Sequence, residues 1–71
     1  MEKELIQVRF GIVAVDLGFI TAEQLVEALK TQVMEDIEKK EHRLIGTILL
    51  DMGFINRDQI DRVVYELMNK V

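Results

Sequence analysis

The sequence predicts an all-α fold, two tandem helix-turn-helix repeats packed as a small four-helix bundle. Three observations carry that expectation. Shifted on itself by 35 residues, the chain lays Gly11 on Gly46, Asp16 on Asp51, Gly18-Phe19-Ile20 on Gly53-Phe54-Ile55 and Gln24 on Gln59. Each Gly-Phe-Ile is followed by a helix-start signal, Thr21 to Gln24 and Asn56 to Gln59, in which first and fourth residues can bond each other's backbone. Finally, the 71 residues are 49% hydrophobic and contain no Cys, no Pro and one His. Neither a disulfide nor a structural zinc is available, so the core must come from aliphatic burial. This length fits a single domain over residues 1–71, with repeat 1 at about 9–33, a charged linker at 34–43 and repeat 2 at about 44–68.

The first element is the ambiguous one. Val8, Phe10, Ile12 and Ala14 alternate along a stretch dense in β-branched residues, which fits a strand. Its counterpart over 44–52 has Leu44, Ile45, Ile48, Leu49 and Met52 at helical spacing. Repeats should share a fold, so helix is assigned to both. Gly18 and Gly53 then suit the left-handed position that ends a helix. Phe19, Ile20, Phe54 and Ile55 fall in the turns, placed to fix the angle between helices.

The second element of each repeat is a capped amphipathic helix. After Thr21 the apolar positions are Leu25, Val26, Leu29, Val33 and Ile37; after Asn56 they are Ile60, Val63, Val64, Leu67, Met68 and Val71. Between the repeats, residues 35–43 (EDIEKKEHR) contain no strong helix breaker. Two readings stand: a solvated helix end followed by a turn, or a continuous helix that would force a swapped dimer. Two copies are too few for a solenoid and are expected to pack about a pseudo-two-fold axis.

Charge narrows the partners. Nine Lys/Arg against thirteen Asp/Glu give −4 and a pI near 4.8, which disfavours nucleic acid, a helix-turn-helix reading of helix 56–70 included. The longest apolar run, residues 12–15, is too short for membrane insertion. The alternating start Met1-Glu2-Lys3-Glu4 lacks the apolar core of an export signal, so the expected location is cytoplasmic.

Chemistry-bearing residues are few. His42 has no Ser or Cys companion, no catalytic residue is assigned, and no metal or cofactor is expected. Asp16 and Asp51 recur near helix C-termini, where the macrodipole disfavours a carboxylate; the leading reading is an ordinary exposed Asp, and the alternative is a hydrogen-bonding use. Gly11 and Gly46 fall inside helices, where Gly costs about 1 kcal/mol relative to Ala. Either a helix passes close there or a ligand approaches bare backbone. Arg9 lies two residues before Gly11 and Arg43 three before Gly46. A guanidinium beside such backbone is a seat for a phosphate or a purine edge.

These residues resemble the repeated motif of the MshEN domain, the N-terminal domain of type II secretion and type IV pilus assembly ATPases. Arg9, Gly11, Val15, Gly18, Ile20, Leu25, Leu29 and Gln32 match that motif as they stand. Phe10, Ala14 and Phe19 replace its aliphatics. In the second copy Leu44 stands at the Arg position, with Arg43 one residue earlier, and Leu67 at the final Gln; the linker is longer than the family spacer. The two copies, 9–32 and 44–67, cover two-thirds of the chain. The resemblance implies an all-helical, non-enzymatic module. No ATPase phosphate loop is present. Some members of that family bind cyclic di-GMP and others dock onto the secretion apparatus. Carried over by position, a nucleotide would meet Arg9, Phe10, Gly11, Gln32, Arg43, Leu44, Ile45, Gly46, Leu49, Ile60 and Val64. The leading expectation is a bacterial module that docks onto a secretion, pilus or signalling protein or onto itself, with a cyclic di-GMP sensor as the alternative.

Overall fold

The computed structural model describes residues 2–69, and side chains from Gln7 onward. Four helices follow in order: α1 (Glu2–Asp16), α2 (Ala22–Ile37), α3 (Ile45–Asp51) and α4 (Arg57–Asn69). The described residues contain no strand. Alternation in the first segment is therefore not a strand signal. The helix sends Phe10 and Ala14, one turn apart, into the core and leaves Val8 and Ile12 on its outer side.

The stops and starts are local chemistry repeated. Gly18 and Gly53 sit at φ +79° and +78°. At α1 the Gly18 N–H donates to the Val15 carbonyl and the Phe19 N–H to Ala14; at α3 Gly53 donates to Leu50 and Phe54 to Leu49. This crossed pair satisfies carbonyls that the helix end would leave bare. Both capping boxes form. Thr21 and Gln24 exchange side-chain bonds with each other's backbone N–H, as do Asn56 and Gln59. The end of α2 uses the same crossed pair without a glycine. Lys39 N–H donates to Asp36, Lys40 N–H to Glu35, and Lys39 takes φ +60°. The chain then crosses to α3 over 38–44, so the turn reading of the joint describes this fold and the continuous helix does not. The linker is shorter than the composition implied, because α2 keeps residues 34–37.

Packing runs between the repeats rather than within them. α1 lies against α4, α3 lies against α2, and α1 and α3 meet at the centre; α1 and α2 touch less. Exchanging the repeats turns one outer pair into the other, as a pseudo-two-fold requires. The core carries the same stamp. Of its nine buried apolar residues, Phe10/Ile45, Ala14/Leu49, Ile20/Ile55 and Ala28/Val63 are four pairs related by the 35-residue shift. The small Ala14 and Ala28 of one repeat are matched in position by the larger Leu49 and Val63 of the other, within one filled core.

The helical stripes are buried only in part. On α2 the core takes Ala28 and Gln32, with Leu25 and Leu29 half-buried, whereas Val26, Val33 and Ile37 face solvent. An outer helix with one close neighbour cannot cover so broad an apolar arc. On α4, Val63 is fully buried and Ile60 and Leu67 half-buried, while Val64 and Met68 are exposed. Val71 lies outside the described residues.

Two stability measurements follow. Gly53→Ala places a Cβ at φ +78° with open space around it, so it costs about 1–2 kcal/mol from conformation alone. Ile48→Ala, fully buried, costs about 2–5 kcal/mol, whereas Ile37→Ala changes stability by less than about 0.5 kcal/mol. Urea unfolding monitored by circular dichroism ranks the three.

Candidate functional site

An open groove of about 620 Å³ lies between α1, α3 and α4. Phe10 and Ile45, both core residues, and Gly46 form its floor; Leu44, Thr47 and Leu50 supply one wall; Ile60, Val64, Leu67 and Met68 supply the other. Arg57 and Asp61, one turn apart on α4, are its charged lining residues, and Gln7 closes the α1 side. What this arrangement offers an occupant is apolar contact area beside one guanidinium and one carboxylate.

Three local features shape the floor. A Cβ on Gly46 would stand 3.2 Å from Phe10 Cζ, so the glycine lets the ring of α1 lie over the backbone of α3. α3 has no side-chain cap at Leu44. Instead Gln7 Oε1 accepts from the Ile45 N–H at 2.6 Å, 38 residues away in sequence. The extension of α1 before repeat 1 makes that cap possible. Leu44, the residue before α3, is 58% exposed and Met68 is 73% exposed, so the two walls end in uncovered apolar side chains.

The eleven residues expected to meet a nucleotide divide into separate places. Phe10, Leu44, Ile45, Gly46, Ile60 and Val64 converge on the groove. Leu49 is wholly buried, and Gly11 lies under Leu25, where any Cβ would run into the Leu25 methyl. That glycine serves close helix packing. Arg9 is exposed on α1 and is not among the groove residues. Gln32 and Arg43 belong to a latch on the α2 side. Gln32, buried, donates from Nε2 to the Arg43 carbonyl at 2.9 Å. The Arg43 guanidinium donates to both Glu35 carboxylate oxygens at 3.0 and 2.6 Å and to Asp51 Oδ2 at 2.6 Å. Asp51 thus takes the hydrogen-bonding alternative, whereas Asp16 is exposed, as the leading reading has it. The turn residues hold their expected places: Ile20 and Ile55 are buried, and Phe19 and Phe54 pack half-buried against the core. His42 is exposed and bonded to Asp36 Oδ1 at 2.9 Å.

Sequence reasoning missed Gln7, Thr47, Leu50, Arg57, Asp61, Leu67 and Met68 as groove residues. Leu67 and Met68 were visible as the broad side of the α4 stripe. Gln7 carried no signal, since its partner lies in the other repeat. Among the described residues no cluster of His, Cys, Asp or Glu is arranged to hold a metal ion, and no helix is long and apolar enough to cross a membrane. No family model, curated protein or solved structure matches the chain.

The latch gives a pH signature. Hydrogen bonds from Arg43 are the main cause holding the Glu35 carboxyl below the usual glutamate range, against a smaller opposing effect of burial. A carboxyl lowered in the folded state stabilises the fold above its unfolded pKa and loses that contribution as pH falls through the lowered value. Stability therefore declines on acidification below the ordinary glutamate range, and Glu35→Gln flattens that part of the curve. Urea midpoints measured from neutral pH into the acid range compare the two chains.

Proposed function

We propose that the chain is a non-enzymatic docking module whose groove between α1, α3 and α4 receives the apolar face of a short helix from a protein partner. The observation that carries this is the lining: six aliphatic or thioether side chains, Leu44, Leu50, Ile60, Val64, Leu67 and Met68, stand on the walls of one open groove above Phe10 and Ile45. From Arg57 to Met68 the groove follows α4 for roughly 16 Å. That length matches about three turns of an incoming helix, the common helix-in-groove mode of recognition. Arg57 and Asp61 select a partner with opposite charges one turn apart beside its apolar face. The resemblance to the N-terminal domains of secretion and pilus ATPases supports the same class, a bacterial cytoplasmic module bound to a secretion, pilus or signalling protein.

The alternative, a cyclic di-GMP sensor, needs several cations at its two phosphates. Arg57 is the cation lining the groove; Arg43 is engaged by Glu35 and Asp51, and Gln32 by the Arg43 carbonyl. Those commitments favour the apolar occupant.

The test uses a designed Leu/Lys amphipathic peptide of about three turns. Its expected footprint in amide chemical shifts is Leu44, Thr47, Ile60, Val64 and Met68, abolished by Val64→Asp, an exposed position whose change leaves the circular dichroism spectrum intact. Calorimetric titration of cyclic di-GMP is expected to give no heat. Heat that disappears in Arg9→Ala, with no peptide footprint in the groove, would replace this reading with the sensor.

A further inference from the structure

We infer that residues 38–44 are an exchange hinge, and that a second copy of this chain is a partner through reciprocal swapping of the α3–α4 hairpin. The inference is independent of what the groove binds. It rests on a conflict between the joint's own sequence and its shape. Glu38, Lys39, Lys40, Glu41, Arg43 and Leu44 are strong helix formers, and the chain holds no Gly or Pro between Gly18 and Gly46. Glu35 with Lys39 and Asp36 with Lys40 are acid-then-base pairs four apart, the order that supports a helix. The fold nevertheless breaks the helix there. It does so with Lys39 at φ +60°, the one non-glycine positive φ among the described residues, a conformation costing about 1–2 kcal/mol for an L side chain.

What holds the joint closed is a small set of contacts: the crossed backbone pair at Lys39 and Lys40, the His42 ring on Asp36, the Gln32 amide on the Arg43 carbonyl, and the Arg43 guanidinium on Glu35 and Asp51. When these open, α2 and α3 can run as one helix from Ala22 to Asp51, about 44 Å long. That exceeds the 34 Å longest dimension of the closed chain. The two hairpins then cannot reach each other within one molecule. A second copy restores the helix–helix packing, because α1·α4, α2·α3 and α1·α3 all join one repeat to the other; the contacts of the joint itself are given up for helical ones. The swapped dimer therefore keeps the core of the monomer and replaces a strained turn with helix.

The test is oligomeric state by light scattering after refolding at high concentration, combined with one intrachain distance. Spin labels on cysteines placed at Glu23 and Thr47, both exposed and outside the latch, in a chain that has no cysteine of its own, are diluted into unlabelled chain. A dimer with an intrachain separation of about 36 Å is expected. Lys39→Gly relieves the turn and penalises the continuous helix in both copies, so it should lower the dimer association constant at least about tenfold. Arg43→Ala opens the latch and should raise it roughly as much. Refolded chain that stays monomeric in the parent and in Arg43→Ala overturns the inference. So does a dimer that lacks the long intrachain distance, because such a dimer associates through surfaces and not through the hinge.

Discussion

The ring of Phe10 lies over Gly46, and the rest of the molecule is arranged around that contact between α1 and α3. An added Cβ on Gly46 would meet the ring at 3.2 Å, so the central helices approach as closely as they do because one residue has no side chain. That approach brings Gln7 within reach of the Ile45 N–H, and a glutamine of the first helix caps the third. It also brings α4 against α1 and α2 against α3. A hairpin of two amphipathic helices has no second apolar face to cover its own, and seven residues of α3 could not persist as an isolated helix in water. Each repeat is thus stable only as the lid of the other.

Departures from symmetry produce the candidate site. In repeat 1 Leu25 seats on Gly11; in repeat 2 Gly46 faces the Phe10 ring and the groove, with Ile60 on the groove wall. α1 runs fifteen residues and α3 only seven, leaving Leu44 as an uncovered edge at the start of α3. The two halves share their core positions, and they differ in what stands around the two interior glycines. An apolar channel on one side of the pseudo-two-fold, and a polar latch on the other, follow from those differences.

Much of this was legible in the chain. The 35-residue shift located both turns, both capping boxes and the core pair Ile20/Ile55, because caps and left-handed glycines depend on bonds within four or five residues of themselves. Phe10, Leu44, Ile45, Gly46, Ile60 and Val64 were singled out by their place in the motif and do share one groove. Gln32 and Arg43 were singled out on the same ground, and their side chains are instead bonded within the latch. A position in a pattern states which residues recur and not which neighbour takes up their hydrogen bonds.

The joint between the repeats marks the boundary most clearly. Residues 38–44 have helical composition, and local energetics alone would continue α2 into α3. Only the burial available when α2 folds back on α3, with Arg43 fixed between Glu35 and Asp51, turns the chain at Lys39. The sequence by itself determined that there are two helix-turn-helix units, where α1 and α3 stop and where α2 and α4 start, since these are short-range bonds and periodicities. Tertiary structure decided that α1 pairs with α4 rather than chiefly with α2, that Gln7 caps α3, and that Ile60, Val64, Leu67 and Met68 of the α4 stripe line an open groove. Those outcomes depend on which surfaces meet across dozens of residues, and no local preference encodes that.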